Sequence, residues 1–416
     1  MHYFSRVRRL VFSFTCSLLL VEFLPTQALS PASIQPQKHA LAQAPADAPD
    51  FLVFGGGSAP CNNEIALEKN ILYFQRTLRQ LGHNPASASI FFANGNNNQT
   101  TIRYLDEQGL EQYKAPKIPH LDGAASFTNL QNWMEQSATQ ETNPSIFFYF
   151  TGHGGFNPED PDNNRLSLWH RQSLSVQELA SMLDTLPPQT SFVAMMAQCY
   201  SGSFANFIYE AGDPNNPIAL QSRCGFFATV RELPSVGCTP EVNEADYRDY
   251  SSSFFAGLSG VDRTGKAVPS ADYNQDGKVS YAEAHAFAKV DDKSLDRPVS
   301  TSEVWLETFA SQPEIKEVFG RPLVQLLKMA RPERRYVVES WVKTFEFNLE
   351  KSFIENVGQL RETEEFDTLQ NTYLTRLSRE LIYIAMEEKI RRFQNQETIA
   401  ILERLLECEG GSWEAQ

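Results

Sequence analysis

A thiol attacks an amide at neutral pH when a base stands beside it, and two short stretches of this chain supply one of each. The first is Thr151-Gly152-His153-Gly154-Gly155, which follows the apolar run Ile146-Phe-Phe-Tyr-Phe150. The second is Gln198-Cys199-Tyr200-Ser201-Gly202, which follows Phe192-Val-Ala-Met-Met-Ala197. Each apolar run reads as a strand buried on both faces. In a parallel sheet the two loops open on the same edge, so Cys199 is the candidate nucleophile and His153 the candidate general base. Glycines around both residues let a substrate backbone approach and leave N–H groups free to hold an oxyanion. The other histidines compete poorly: His83 follows a helix end, His170 follows a short strand, and His285 falls on a helix.

A second constellation is Asp272-Tyr-Asn274-Gln-Asp276-Gly277-Lys278-Val-Ser280-Tyr-Ala-Glu283. Asp272, Asn274, Asp276, Ser280 and Glu283 place side-chain oxygens at positions 1, 3, 5, 9 and 12 of an EF-hand-like loop. Lys278 supplies a backbone carbonyl at position 7, and Gly277 makes the turn at position 6. The expected occupant is a structural Ca2+, held with an affinity on the order of 0.1–1 mM. The segment 157–164 (NPEDPDNN) is acidic and turn-forming, and is expected to be a solvated loop near the Cys199 edge.

Stepping outward, the chain from Phe51 alternates apolar strands with amphipathic helices. FLVFGGG (51–57) is expected to be a strand, 64–81 a helix, 87–94 a strand, about 125–137 a helix, 145–155 a strand, 175–186 a helix, and 191–202 and 224–230 strands. That alternation predicts an α/β fold with a mostly parallel sheet and helices on both faces. Long stretches rich in Glu, Arg and Leu from 310 to 416 predict a C-terminal all-helical region, suited to a structural cap or to contact with a partner protein.

The motifs TGHGG and QCYSGSF, with His153 46 residues before Cys199, resemble the paired motifs of the caspase and legumain clan of cysteine peptidases (clan CD). The opening FLVFGGG and the helix carrying LEKN also resemble bacterial legumain-like or caspase-like proteins, and the likeness spans about 51–300. It implies a caspase-like peptidase domain over 51–309, containing the loop at 272–283. It further implies a Cys199–His153 dyad, an oxyanion site from the N–H groups of Cys199 and Gly154, and hydrolysis of peptide or protein substrates through a thioester. Ala197 departs from the acidic residue that several families of this clan carry two positions before the nucleophile, which removes that support for basic-residue specificity. Arg223 and Arg231 flank the strand after the nucleophile and could meet an acidic substrate side chain. Two rivals fit the same residues: a catalytically silent calcium-binding scaffold of this fold, and a transpeptidase that resolves the thioester with an amine.

Composition sets the surroundings. Arg6, Arg8 and Arg9, an apolar stretch from Leu10 to Leu24 and then Ala28-Leu29-Ser30 read as a signal peptide over 1–30, followed by a disordered linker over 31–50. The protein is therefore expected to be exported, periplasmic or secreted, with no membrane span in the mature form. Without residues 1–30, 33 basic face 50 acidic side chains, a net charge of −17. Such a surface repels nucleic acid. Five cysteines remain: Cys61, Cys199, Cys224, Cys238 and Cys408. An odd number leaves at least one thiol unpaired, and Cys224 and Cys238 are close enough in sequence to pair.

Overall fold

The computed structural model describes residues 48–140, 145–241, 243–245, 247–363 and 366–413. The expected signal peptide and residues 31–47 of the expected linker lie outside the described residues.

The first strand, β1 (Asp50–Gly56), runs into helix α1 (Ile65–Gln80) and returns as β2 (Ser89–Phe92). A hairpin of β3 (Ile102–Leu105) and β4 (Glu111–Lys114) precedes α2 (Phe127–Ala138) and the central strand β5 (Ile146–Gly152). Three short antiparallel strands follow, β6 (Gly154–Gly155), β7 (Arg165–Leu168) and β8 (Gln172–Ser175), leading to α3 (Val176–Leu183) and β9 (Phe192–Ala197). Then come β10 (Arg223–Phe227), α4 (Tyr250–Ser259), α5 (Tyr281–Asp291) and β11 (Val299–Ser300). The main sheet has the order β11-β10-β9-β5-β1-β2, parallel throughout except for the β11 edge. The α/β expectation holds at this level.

Side chains alternate across each strand and divide the core into two faces. Phe51, Val53, Phe147, Tyr149, Val193 and Met195 pack beneath α1, α4 and α5. Leu52, Phe54, Phe148, Phe150, Phe192, Ala194 and Met196 pack beneath α2 and α3. Double-sided burial is why the strands carry unbroken apolar runs. Residues read from the sequence as one strand over 145–155 divide at His153 into β5 and β6, and the strand expected over 191–202 stops at Ala197.

The remaining helices are α6 (Thr301–Glu307), α7 (Gln312–Gly320), α8 (Leu323–Leu327), α9 (Pro332–Thr344), α10 (Phe353–Thr363), α11 (Thr368–Phe393) and α12 (Gln396–Glu409). They extend the core beneath the α2–α3 face, with Val318, Leu323, Trp341, Leu377 and Leu381 in the same apolar cluster as the strands. The chain end then reaches the opposite face, where Trp413 is buried against Phe51, Phe74 and Phe147. Four buried charges join α5, α6, α9 and α11: Lys289 pairs with Glu303 and with Glu380 (2.7 Å), and Arg334 pairs with Glu380 (2.9 Å) and Glu303 (3.3 Å).

Cys224 of β10 is disulfide-bonded to Cys408 of α12, a pairing that the spacing of Cys224 and Cys238 left open. Cys224 lies in the α4–α5 face, and Cys238 packs at the margin of the same cluster as an unbridged thiol, as Cys199 also is. The bond closes a 184-residue span. Cys408→Ser is expected to lower unfolding free energy by about 2–4 kcal/mol, read as a lower urea midpoint. An unchanged midpoint would mean that the bond does not form.

Candidate active site

Strands β5 and β9 are hydrogen-bonded neighbours in parallel register, with Thr151 opposite Ala197. His153 and Cys199 each stand two residues beyond that pair, so the backbone alone puts them side by side on one sheet edge. Gly154 packs against the Cys199 backbone so closely that a Cβ would fall 1.9 Å from the Cys199 carbonyl oxygen. Any larger residue at 154 would push the two loops apart.

The third strand end on this edge belongs to β1, whose loop supplies partners for His153. The ring Nε2 lies 2.9 Å from the Asn62 carbonyl oxygen and 2.9 Å from Glu64 Oε2. Both are acceptors, so Nε2 carries a proton and donates. Glu64 is buried, and it also pairs with Arg103 at 2.8 Å. Burial pushes the Glu64 carboxyl up, but the His153 ring and Arg103 outweigh it and hold the pKa below the ordinary value. Glu64 was not singled out from the sequence, where it looks like the acidic start of a helix. Its place on the loop after a strand paired to β5 was the available signal.

Cys238 lies nearby, its Sγ 3.6 Å from the Gly152 carbonyl oxygen, and interacts with the ring. Burial works against a charged ring, yet Cys238 and Glu64 together raise the His153 pKa to about 11.

Cys199 has a different set of contacts. Its Sγ accepts the Ser235 N–H at 3.3 Å and lies 3.5 Å from the Ser235 carbonyl oxygen. Tyr200 N–H donates to the Leu233 carbonyl at 2.9 Å. Residues 233–238 thus lie along the Cys199 loop. Burial raises the thiol pKa, and the Cys238 charge adds to it, while the Ser235 N–H and His153 pull it down by less. In this arrangement the Cys199 thiol pKa is held above its ordinary value and the Ser235 backbone lies against the sulfur.

The covering segment is anchored from beneath by residues that the sequence did not announce. The Asp296 carboxylate accepts from Ser235 Oγ (2.7 Å) and from the Val236 N–H (3.0 Å). Tyr247 donates its hydroxyl to the Gly237 carbonyl. Arg376 of α11, itself buried, donates to the carbonyls of Lys289 (2.9 Å), Asp292 (2.7 Å), Ser294 (3.1 Å) and Asp296 (2.6 Å) and so fixes the loop that carries Asp296. The C-terminal helices therefore reach the active-site edge through one guanidinium.

Other sequence candidates fall into place or out of it. Arg223 is buried and bonded to Gln221, the Phe207 carbonyl and Asp184, which removes it from any substrate-facing role. Arg231 stays at the rim, paired with Asp162 and Glu232. In the acidic segment, Asn164 is fully buried and joins the Cys199 loop to the following strand, donating to the Arg231 carbonyl at 2.9 Å and the Tyr200 carbonyl at 3.5 Å.

The loop at 272–283 folds as a compact turn leading into α5. Asp272 accepts the N–H groups of Asp276 (3.1 Å) and Gly277 (3.0 Å), Asn274 accepts that of Asp276 (2.9 Å), and Asp276 accepts that of Lys278 (2.9 Å). Glu283 accepts from the amides of Tyr273 and Asn274 and from Ser280, the residue that caps α5. The donor set is all oxygen, which fits a hard cation. Among the described residues, no three or more His, Cys, Asp and Glu side chains gather into a metal-holding group.

Models of known protein families were searched without a match to this chain, and none of the curated proteins matches it. Among the described residues no helix is long and apolar enough to cross a membrane.

A histidine whose folded pKa exceeds its free value stabilises the fold fully below the free value of about 6.5, and that contribution is lost as pH rises through the folded pKa. For His153 the loss runs up towards about 11. Glu64→Gln removes one source of the upward shift, so its melting temperature should be lower than the parent's at neutral pH and should fall less on the way to alkaline pH, levelling off at lower pH than in the parent. Parallel melting curves for both proteins across neutral to alkaline pH would contradict the Glu64–His153 pairing.

Proposed function

We propose that this protein is an exported cysteine endopeptidase of caspase-like fold, with Cys199 as nucleophile and His153 as its base. The observation that carries the reading is the side-by-side placement of His153 and Cys199 beyond the Thr151–Ala197 pair. Hydrolysis would begin when residues 233–238 draw back and a peptide carbonyl takes the place of Ser235 beside Sγ. That withdrawal would also take Cys238 from the ring and remove one source of its high pKa, so that a neutral imidazole could take the Cys199 proton as the sulfur attacks the carbonyl carbon. The resulting oxyanion would be held by the N–H groups of Cys199 and Gly154. Collapse to the thioester expels the amine, which takes its proton from His153, and water resolves the thioester with His153 again as base. Glu64 and the Asn62 carbonyl would orient the ring and stabilise its charged form, the part a carboxylate plays beside a catalytic imidazole.

Ca2+ is proposed at 272–283, held by Asp272, Asn274, Asp276, Ser280, Glu283 and the Lys278 carbonyl. It would act structurally. Tyr273 stacks on Tyr336 of α9 at 4.0 Å, so an ordered loop also braces the C-terminal helices.

Cys199→Ala should abolish peptide turnover while leaving the melting temperature near that of the parent, because the residue sits in an edge loop. An electrophilic peptide probe should label Cys199 and fail to do so after His153→Ala. Retained turnover in Cys199→Ala would end the assignment. Peptide ligation in the presence of an added amine would favour the transpeptidase, and a folded protein without turnover or labelling the silent scaffold. Calcium should raise the melting temperature by mass action, an effect lost in Asp272→Ala. The same melt in calcium and in chelator would remove the ion from the proposal.

A further inference from the structure

The site holds a second thiol that the proposed chemistry leaves unused. The Cys238 Sγ lies 3.6 Å from the carbonyl oxygen of Gly152, and Cys238 interacts with the ring of the next residue, His153. Gly152 is one residue before His153 on the loop that flanks Cys199. The base of this site therefore faces Cys238 at the same time as it stands beside Cys199.

Cys238 and Cys199 are also joined by the covering segment. Ser235 touches Cys199 Sγ through both its backbone polar groups, and Cys238 follows three residues later, a span of at most about 10 Å of extended chain. The segment does not run extended. Gly237 adopts φ +117, a conformation that L side chains rarely adopt, and a Cβ there would fall 2.7 Å from the Asp249 Cβ. The turn at Gly237 brings Cys238 back to the His153 loop. Asp296 and Tyr247 tie down the residues in between, so the thiol is held at the nucleophile and not carried on a free loop.

Cys224 and Cys408 are already bonded to one another, and Cys61 is exposed on the β1 loop. Resting on the reading of Cys199 as nucleophile, we propose that Cys199 and Cys238 form a reversible disulfide that fixes residues 233–238 over the site and holds the peptidase dormant.

The chemistry is thiol–disulfide exchange. The Cys238 proton passes to the buffer and its sulfur attacks a small-molecule disulfide such as oxidised glutathione, releasing one glutathione thiolate and leaving a mixed disulfide on Cys238. The Cys199 thiolate then attacks the Cys238 sulfur, forming the internal bond and expelling the second glutathione thiolate. The two protein thiols lose two electrons and two protons, and one disulfide becomes two thiols. A thiol reductant reverses each step and frees Cys199. The bond needs Cα atoms about 4.4–6.8 Å apart.

The test uses the full mature chain, equilibrated in glutathione buffers from fully reduced to oxidised, quenched in acid, alkylated and mapped by peptide mass spectrometry. In oxidised buffer the expected result is a cross-linked peptide joining Cys199 to Cys238, loss of Cys199 alkylation, and recovery of both on adding dithiothreitol, with Cys224–Cys408 unchanged. Cys238→Ser, with Cys238→Ala as a second variant should serine disturb folding, should keep Cys199 alkylated in the same oxidised buffer. Absence of the cross-link, or Cys199 bonded only to Cys61 or to glutathione, overturns the proposal. The two readings fail separately. A cross-link without turnover in reduced protein supports the thiol pair and sinks the peptidase, whereas turnover indifferent to glutathione poise sinks the pair alone.

Discussion

The parallel pairing of β1, β5 and β9 is the constraint on which the rest of this molecule depends. Three adjacent strands run the same way, so the loops at their carboxyl ends meet on one edge. Asn62 and Glu64 arrive after β1, His153 after β5, and Cys199 after β9. A one-residue slip in either pairing would exchange the side chains packed into the two apolar layers on either side of the sheet, and the fit of those layers opposes it. Packing energy spent nowhere near the site thus sets where the chemistry can happen.

That edge is built to be both complete and closed. Glu64 and the Asn62 carbonyl accept from the His153 ring and favour its charged form, with Arg103 holding Glu64 in place. Cys238 also interacts with that ring, while Cys199 is held by the Ser235 backbone. The elements that keep it closed come from far along the chain. Arg376 on α11 gathers the carbonyls of the loop before β11, that loop presents Asp296, and Asp296 holds Ser235 and Val236 over Cys199. A C-terminal region that looked like an appendage shares the sheet's core and supports the active-site cover.

The charged network within those helices follows the same logic. Lys289, Glu303, Arg334 and Glu380 are all buried, and each has an opposite charge within hydrogen-bonding distance. Removing one partner would leave an uncompensated charge in a low-dielectric interior, so the four positions lock the relative placement of α5, α6, α9 and α11. The α5 end of this network is continuous with the 272–283 turn, whose Glu283 caps the same helix. Order in the turn, in the helical region and in the cover of Cys199 is mechanically linked.

The sequence by itself determined the strands, the helix-strand alternation and the two candidate residues, because apolar runs buried on both faces and glycine-bearing loops at their ends are local signals. It also determined the oxygen donors of the 272–283 turn, whose spacing is contained in one short segment. Only the tertiary structure decided what those residues touch. Glu64 reads as an ordinary helix start until β1 is placed beside β5, and Cys238 reads as a possible partner for the nearby Cys224 until α12 brings Cys408 against β10. Cys408 is 184 residues from Cys224, and no local pattern encodes such a contact. Asp296, Tyr247 and Arg376 belong to loops and a helix with no motif at all, and they act through backbone groups that any residue possesses. Periodicity reports which face of an element is buried; which element it is buried against depends on the global packing, and that is where the closed state of this site is written.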